Sequence, residues 1–140
     1  MIISAKLNYS IKAVLELARS YGSGRLLNLE TISESQNIPQ PFLLQIMSLL
    51  KRGGIVESIR GVSGGYMLTK GAGEIKIKDV IMAVEPSLLM GKKESDNSVE
   101  AAIENIWNTA RSRAESYFEE ISFEILLDKT ITKENLSYNI

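Results

Sequence analysis

The stretch Arg60-Gly61-Val62-Ser63-Gly64-Gly65-Tyr66 constrains this chain more than any other. Short apolar runs flank it, Ile55 to Ile59 before and Tyr66 to Thr69 after, each the length of a strand. Three glycines in five residues permit positive φ angles and close approach of backbone to backbone. The reading is a tight hairpin with an arginine at its mouth. Upstream, residues 41–52 form an amphipathic pattern that ends in Lys51-Arg52-Gly53-Gly54. The body must therefore seat a helix and a cation-tipped hairpin in immediate succession.

The chain has 140 residues, enough for one compact domain with an appended element and for a real core. No run approaches a membrane span. Met1-Ile2-Ile3-Ser4-Ala5-Lys6 lacks the long apolar stretch of a signal peptide, so a soluble cytoplasmic protein is expected. There is no cysteine and no histidine. Disulfides, thiolate metal sites, thiol nucleophiles and imidazole bases are thereby excluded, and no cofactor or metal is expected. A site of carboxylates, lysines and hydroxyls stays open.

The net charge of −1 hides an asymmetry. Residues 1–70 hold eight Lys or Arg against four acids, and residues 71–140 hold eight against thirteen. A basic half joined to an acidic half suggests one part that meets a polyanion and one that does not. Scatter of solvating charge is the other explanation.

Residues 5–21 read as a helix with Leu7, Ile11, Val14, Leu15, Ala18 and Tyr21 at helical spacing and Ser4 as its cap. Gly22-Ser23-Gly24 ends it. Asn28 caps a short second helix that ends near Asn37. Pro39 blocks its continuation, and Pro41 opens the next helix in a first-turn position. Two short helices joined by a tight turn make a helix-turn-helix. On a helical wheel, Phe42, Leu43, Ile46, Met47, Leu49 and Leu50 share one arc and are expected in the core. The opposite arc holds Leu44, Gln45, Ser48, Lys51 and Arg52. Amide, hydroxyl and cationic groups of this kind read base edges and phosphates, although a plain solvated face has the same composition. Leu44 is the apolar exception, able to pack on a thymine methyl or simply exposed. A helix followed by a basic-tipped hairpin is the arrangement by which a winged helix-turn-helix grips a duplex, helix in the major groove and tip at the backbone or minor groove.

Beyond the hairpin, Gly71-Ala72-Gly73 reads as a loop, Ile75 to Ile77 as extended, and Lys78 to Glu85 as a fourth helix with Val80, Ile81 and Val84 inward. Residues 86–98 look like a mobile loop. A long helix is expected over 99–121, where Val99, Ile103, Ile106, Ala110, Tyr117 and Ile121 follow an alternating three–four spacing, with Trp107 and Phe118 beside them. Arg113 or Ala114 leaves the seam imperfect. Such a stripe must be buried, against a second copy or against its own domain, and a homodimer is the expectation. Ser122 can cap a short last helix with Phe123, Ile125, Leu126 and Leu127, and Thr130 to Ile140 reads as a frayed polar end. The fold class is mainly α with a small β wing. Residues 1–85 are assigned to a winged helix-turn-helix, 86–98 to a loop and 99–140 to a dimerisation helix and C-terminal segment.

With these residues in view, the chain resembles the Rrf2 family of bacterial winged-helix transcription regulators. That family includes an iron–sulfur cluster regulator, a nitric-oxide-sensing repressor and a cysteine-metabolism repressor. The likeness is strongest in Phe42-Leu43-Leu44-Gln45, in Leu49-Leu50-Lys51-Arg52-Gly53-Gly54-Ile55-Val56, and from Ser58 through the hairpin to Leu68. It continues over Ile75 to Glu85, and Lys6, Tyr9 and Ala13 also match. The resemblance implies a homodimer on an imperfect palindrome of double-stranded DNA. Lys6 and Tyr9 would touch the backbone. Gln40, Gln45, Ser48 and Lys51 would lie at the major groove. Arg60, Ser63 and the wing glycines, Gly64 among them, would reach the minor groove. Many members carry three cluster-binding cysteines in the loop that corresponds to 86–98, and this chain has none. Leu44 stands where some members have a glutamate that helps select sequence, and Asn8 replaces a common basic residue.

The leading reading is a cluster-free, DNA-binding transcriptional regulator that answers to a small molecule or a protein partner, or acts constitutively. The alternative is a protein-interaction module that kept the scaffold and lost DNA. An enzyme is disfavoured by the lack of His, Cys and a phosphate loop of the GKS or GKT type.

Overall fold

The computed structural model describes residues 1–138. Helix α1, Ala5–Ser20, begins where the Ser4 hydroxyl accepts the Leu7 N–H at 3.1 Å. The same hydroxyl donates to Glu85 at 3.0 Å, which ties the start of α1 to a distant part of the chain. Helix α2, Leu29–Gln36, is capped by Asn28, which accepts the Thr31 N–H at 2.8 Å. It stops at Asn37, whose φ of 54° is left-handed, a conformation asparagine tolerates better than most residues. The chain then reverses through buried Ile38, and Pro39 opens helix α3, Gln40–Arg52, with Pro41 in its first turn.

Four side chains of α3 are fully buried: Leu43, Ile46, Met47 and Leu50. Burial of each contributes about 1.5–3 kcal/mol, which fixes the rotation of α3 about its axis. Two residues at the edges of the expected apolar arc differ. Leu49 is half-buried against the core. Phe42, expected inside, is 49% exposed. It sits in the first turn, beyond the reach of the core, and its ring meets Tyr9 edge-on at 6.2 Å.

Strands β1, Val56–Ile59, and β2, Gly65–Leu68, form an antiparallel hairpin in which Val56 pairs with Leu68 and Ile59 with Gly65. Leu27 and Tyr66 exchange two backbone hydrogen bonds, at 3.1 and 2.8 Å, so the segment between α1 and α2 braces the hairpin base. A Cβ on Gly65 would lie 2.7 Å from the Leu27 carbonyl oxygen, so the brace requires glycine there. At the tip, Gly61 has a φ of +121°, which only glycine adopts readily.

Helix α4, Ile77–Val84, buries Ile77, Val80, Ile81 and Val84. The expected loop at 71–73 carries a 3-10 turn, Ala72–Glu74, closed by the Glu74 carboxylate accepting the Gly71 N–H at 3.2 Å. The expected loop at 86–98 also starts with a 3-10 turn, Pro86–Leu88, and Leu89 is buried. An apolar anchor thus holds its first residues, and irregular chain begins only at Met90.

Helix α5, Ser98–Glu120, starts at Asn97, whose side chain accepts the Val99 and Glu100 N–H groups. Helix α6, Phe123–Tyr138, is capped by Ser122, which accepts the Ile125 N–H at 3.1 Å. It is not the short helix expected, and helical backbone continues through the stretch read as frayed, as far as Tyr138. Asn139 and Ile140, part of that expected frayed end, lie outside the described residues. Tertiary packing explains the extension: α6 lies along α1, and Arg19 reaches Glu134 at 3.8 Å. Phe123 is fully buried in the core, worth about 2–3 kcal/mol. Its N–H donates to the Ile75 carbonyl, and the Ile77 N–H donates to the Ile121 carbonyl, both at 2.9 Å. The C-terminal segment is therefore sewn into the winged-helix body. Among the described residues, no helix is long and apolar enough to cross a membrane.

Candidate nucleic-acid interface

The core burial of α3 leaves one face outward. Gln40, Leu44, Gln45, Ser48, Lys51 and Arg52 are all exposed on it, and Leu44 retains 56% of its surface. The apolar arc and the polar stripe thus separate as the wheel requires. Lys51 and Arg52 occupy the last turn, where cations also suit the negative end of the helix dipole.

The hairpin is not independent of this face. Lys51 Nζ donates to the Ser58 hydroxyl on β1 at 2.9 Å. Below it, the Thr69 hydroxyl donates to the Gly54 carbonyl at 2.7 Å. Helix and wing are pinned together at both ends of their connection. Arg60 and Ser63 are exposed at the tip. Gly64 is half-buried, and its N–H donates to the Gly61 carbonyl at 3.0 Å, closing the turn.

From α1, Lys6 and Tyr9 are half-buried rather than free. Tyr9 stacks on Phe42 of α3, and Lys12 Nζ stands 5.9 Å from the centre of the Tyr9 ring. Lys12, Tyr9 and Phe42 form one surface cluster beside the start of α3. Sequence reading missed Lys12 and Phe42 here. The i, i+3 spacing of Tyr9 and Lys12 was an available signal, because residues three apart are neighbours on a helix. Ser58 was missed as well, and nothing in the sequence marks it.

Electrostatics favour an anionic partner for this face. No salt bridge among the described residues engages Lys6, Lys12, Lys51, Arg52 or Arg60. By contrast, Lys78 on α4 is held by Glu119 at 2.8 Å and Glu115 at 3.1 Å on α5. Hydrogen bonding to Glu119, then to Glu115, raises the Lys78 pKa above its ordinary value. The Lys78 ammonium in turn lowers that of Glu119. The cations of the α3–wing face remain available to phosphates.

The expected seam lies elsewhere. Val99, Ile103, Ile106, Ala110 and Tyr117 are exposed on α5. Ile121 does not join them: it lies past the helix end, half-buried against the core. Phe118 likewise packs on the core.

The Rrf2 family profile, described as an iron-dependent transcriptional regulator, matches residues 3–129. The HTH-type transcriptional regulator IscR of Photorhabdus laumondii is 32% identical over 132 residues, covering 91% of this chain and 80% of that protein. Among solved structures, CymR, the global cysteine regulator of B. subtilis, superposes with a TM-score of 0.80 at 27% identity, over 92% of this chain and 98% of that one. IscR of T. potens superposes with a TM-score of 0.76 at 29% identity, over 93% and 88%. This chain belongs to the Rrf2 family of winged-helix, DNA-binding transcriptional regulators.

Proposed function

We propose that the chain acts in the cytoplasm as a homodimer on a palindromic operator, without an iron–sulfur cluster and without catalysis. The observation that carries the dimer is the inverted polarity of α5. Its half-buried residues Glu104, Asn108, Arg111 and Glu115 are polar, beside Ala101, Ala114 and Phe118. Its apolar residues Val99, Ile103 and Ile106 face away, 67%, 47% and 60% exposed. An exposed apolar stripe of this kind marks an interaction surface, and a second copy supplies a matching stripe. A two-fold axis through α5 would set two copies of α3 against successive major grooves, about 34 Å apart. Gln40, Gln45 and Ser48 would read bases, Lys6, Tyr9, Lys51 and Arg52 would hold phosphates, and Arg60, Ser63 and Gly64 would approach the minor groove.

The family description includes iron. The donor set of this chain does not fit a thiolate- or imidazole-held cluster, because it has no cysteine and no histidine. Among the described residues, no three Asp or Glu side chains gather in a metal-binding group either. Regulation would then come through a small molecule or a protein partner.

The test is sedimentation of the purified protein together with genomic footprinting across a salt series. A dimer protecting pseudo-palindromic sites, with affinity falling steeply as salt rises, supports the reading. A monomer that protects no site would return the chain to the class of protein-interaction modules. Protein purified without oxygen should be colourless; a stoichiometric iron–sulfur chromophore would refute the cluster-free assignment.

A further inference from the structure

The irregular chain after Leu89 folds back onto α5 and encloses a cleft of about 410 Å³. The Asn108 side chain holds it shut at one end. Its Oδ1 accepts the Lys92 N–H at 3.3 Å and its Nδ2 donates to the Lys92 carbonyl at 3.2 Å, a side-chain imitation of a strand pair. Lys92, Glu100, Glu104, Trp107, Asn108 and Arg111 line the space, with Ile103 at its rim. The wall thus carries two cations and two carboxylates. Glu104 Oε2 is buried and has no hydrogen-bond partner among the described residues. An orphaned carboxylate oxygen in a native fold calls for an explanation, and a bound donor is one. Arg111 spends one donor on Asn108 Oδ1 at 3.1 Å and keeps the rest of its fork free, and no salt bridge engages Lys92 among the described residues.

We propose that this cleft is an effector site for a small zwitterion of the amino-acid type. Its ammonium is taken by Glu104, its carboxylate by Arg111 and Lys92, and its side chain lies against Trp107 and Ile103. The proposal rests on the regulator reading and supplies its missing input. A simple anion would face Glu100 and Glu104, and a simple cation would face Arg111 and Lys92; a zwitterion satisfies both pairs. The spacing agrees. Glu104 and Arg111 are two helical turns apart, and the Arg111 head reaches back one turn to Asn108, leaving roughly 5–10 Å between charged groups. An α-amino acid with a charge-assisted hydrogen bond at each end spans about 8–9 Å. Trp107 and Arg111 also border a second cleft of about 450 Å³ that reaches Met1 and Leu88, which leaves room for a longer side chain. Ile103 belongs at once to the rim of the cleft and to the proposed dimer seam. A ligand here would therefore bear directly on the geometry of the dimer.

Trp107 is the only tryptophan of the chain, so its fluorescence reports on the two clefts it borders and on no distant part of the fold. Each of the twenty standard L-amino acids is titrated in turn into the full-length protein. At least one should give a saturable change, while its decarboxylated amine and its N-acetyl derivative should bind at least tenfold more weakly. Glu104→Gln and Arg111→Met should each lose the response at least tenfold while retaining the wild-type circular dichroism. The analogue series on the unaltered protein decides the matter if either variant fails to fold. No saturable response from any amino acid at about 10 mM, or equal binding of the amine or the acylated acid, would overturn the proposal. Duplex binding measured in the same samples keeps the two readings apart: protein that shifts an operator yet ignores every amino acid loses the effector site and keeps the regulator.

Discussion

Helices α3 and α5 are both amphipathic, and they are so in opposite senses toward the body that carries them. In α3, four apolar side chains point into the core and the polar stripe points out. In α5, which is almost twice as long, no residue is fully buried; Glu104, Asn108 and Arg111 are half-buried beside Ala101, Ala114 and Phe118, while Val99, Ile103 and Ile106 are exposed. The orientation of α3 is fixed within one chain, and with it the set of polar groups presented outward. Among the described residues, Val99, Ile103 and Ile106 of α5 are left exposed. The first helix is finished by folding; under the proposed dimer the second would be finished by association.

That difference is broken most sharply by paired substitutions. Leu43→Ala removes a fully buried side chain and should cost about 2–5 kcal/mol of folding stability in urea denaturation. Ile106→Glu touches a residue that is 60% exposed in the single chain and should leave the fold of each copy intact. It should nonetheless abolish the dimer, because a carboxylate would be placed unpaired in a dry seam. Sedimentation showing an unaltered dimer for Ile106→Glu would move the interface off α5.

Within the basic face, the wing can be weighed against the helix. Arg60 is exposed at the tip and engages no carboxylate among the described residues. Arg60→Ala should weaken duplex binding by about 1–3 kcal/mol and reduce its salt dependence. Unchanged affinity in the folded variant would remove the wing from the contact and leave recognition to α3.

Leu44 sharpens the comparison within α3 itself, as the apolar group at the centre of an otherwise polar stripe. If it packs on a thymine methyl, replacing that thymine by uracil should cost less than about 1–2 kcal/mol in a fluorescence-anisotropy titration. The same base change should have no effect on Leu44→Ala, since both changes delete one contact from opposite sides. Additive losses would make Leu44 an exposed leucine with no role in reading.

The sequence made most of the winged helix-turn-helix legible, because local chemistry decides it. Ser4 and Asn28 cap the helices they were expected to cap, and glycines close the hairpin where φ and close approach demand them. What stayed hidden depends on contacts distant in sequence. The length of α6 follows from its packing on α1, and the placement of Phe123 from the backbone bond its N–H donates to the Ile75 carbonyl. Phe42 lies outside the core and meets the ring of Tyr9 on another helix instead. At the interface, the stripe on α3 was readable from its period alone. The Lys51–Ser58 link and the Tyr9–Phe42 contact join side chains on different elements, whose pairing no periodicity encodes. The inverted face of α5 was readable only in half: its apolar seam repeats, but the polar face that packs inward looks like ordinary solvated surface until the fold shows what it covers.

The smallest effect is expected where α5 does touch its own body. Lys78 on α4 bridges Glu115 and Glu119, one helical turn apart on α5. All three heads are in contact with solvent, so the link should be weak and salt-sensitive. Its pH dependence has a definite sign. The Glu119 pKa is lowered by Lys78, so the stabilisation is present above the ordinary glutamate range and is lost as pH falls through the lowered value. The Lys78 pKa is raised, so the same stabilisation persists through neutral and moderately alkaline pH and is lost only as pH climbs through the raised value. The difference in thermal stability between the parent and Lys78→Ala should therefore form a low plateau across neutral pH, fall away at both extremes and shrink in high salt. Amide exchange over residues 111–120 should quicken in the variant across that plateau, while exchange in α3 stays unchanged. A variant that loosens α3 as well would show that the two helices are coupled through α4, and that the arm is part of the reading head rather than an attachment to it.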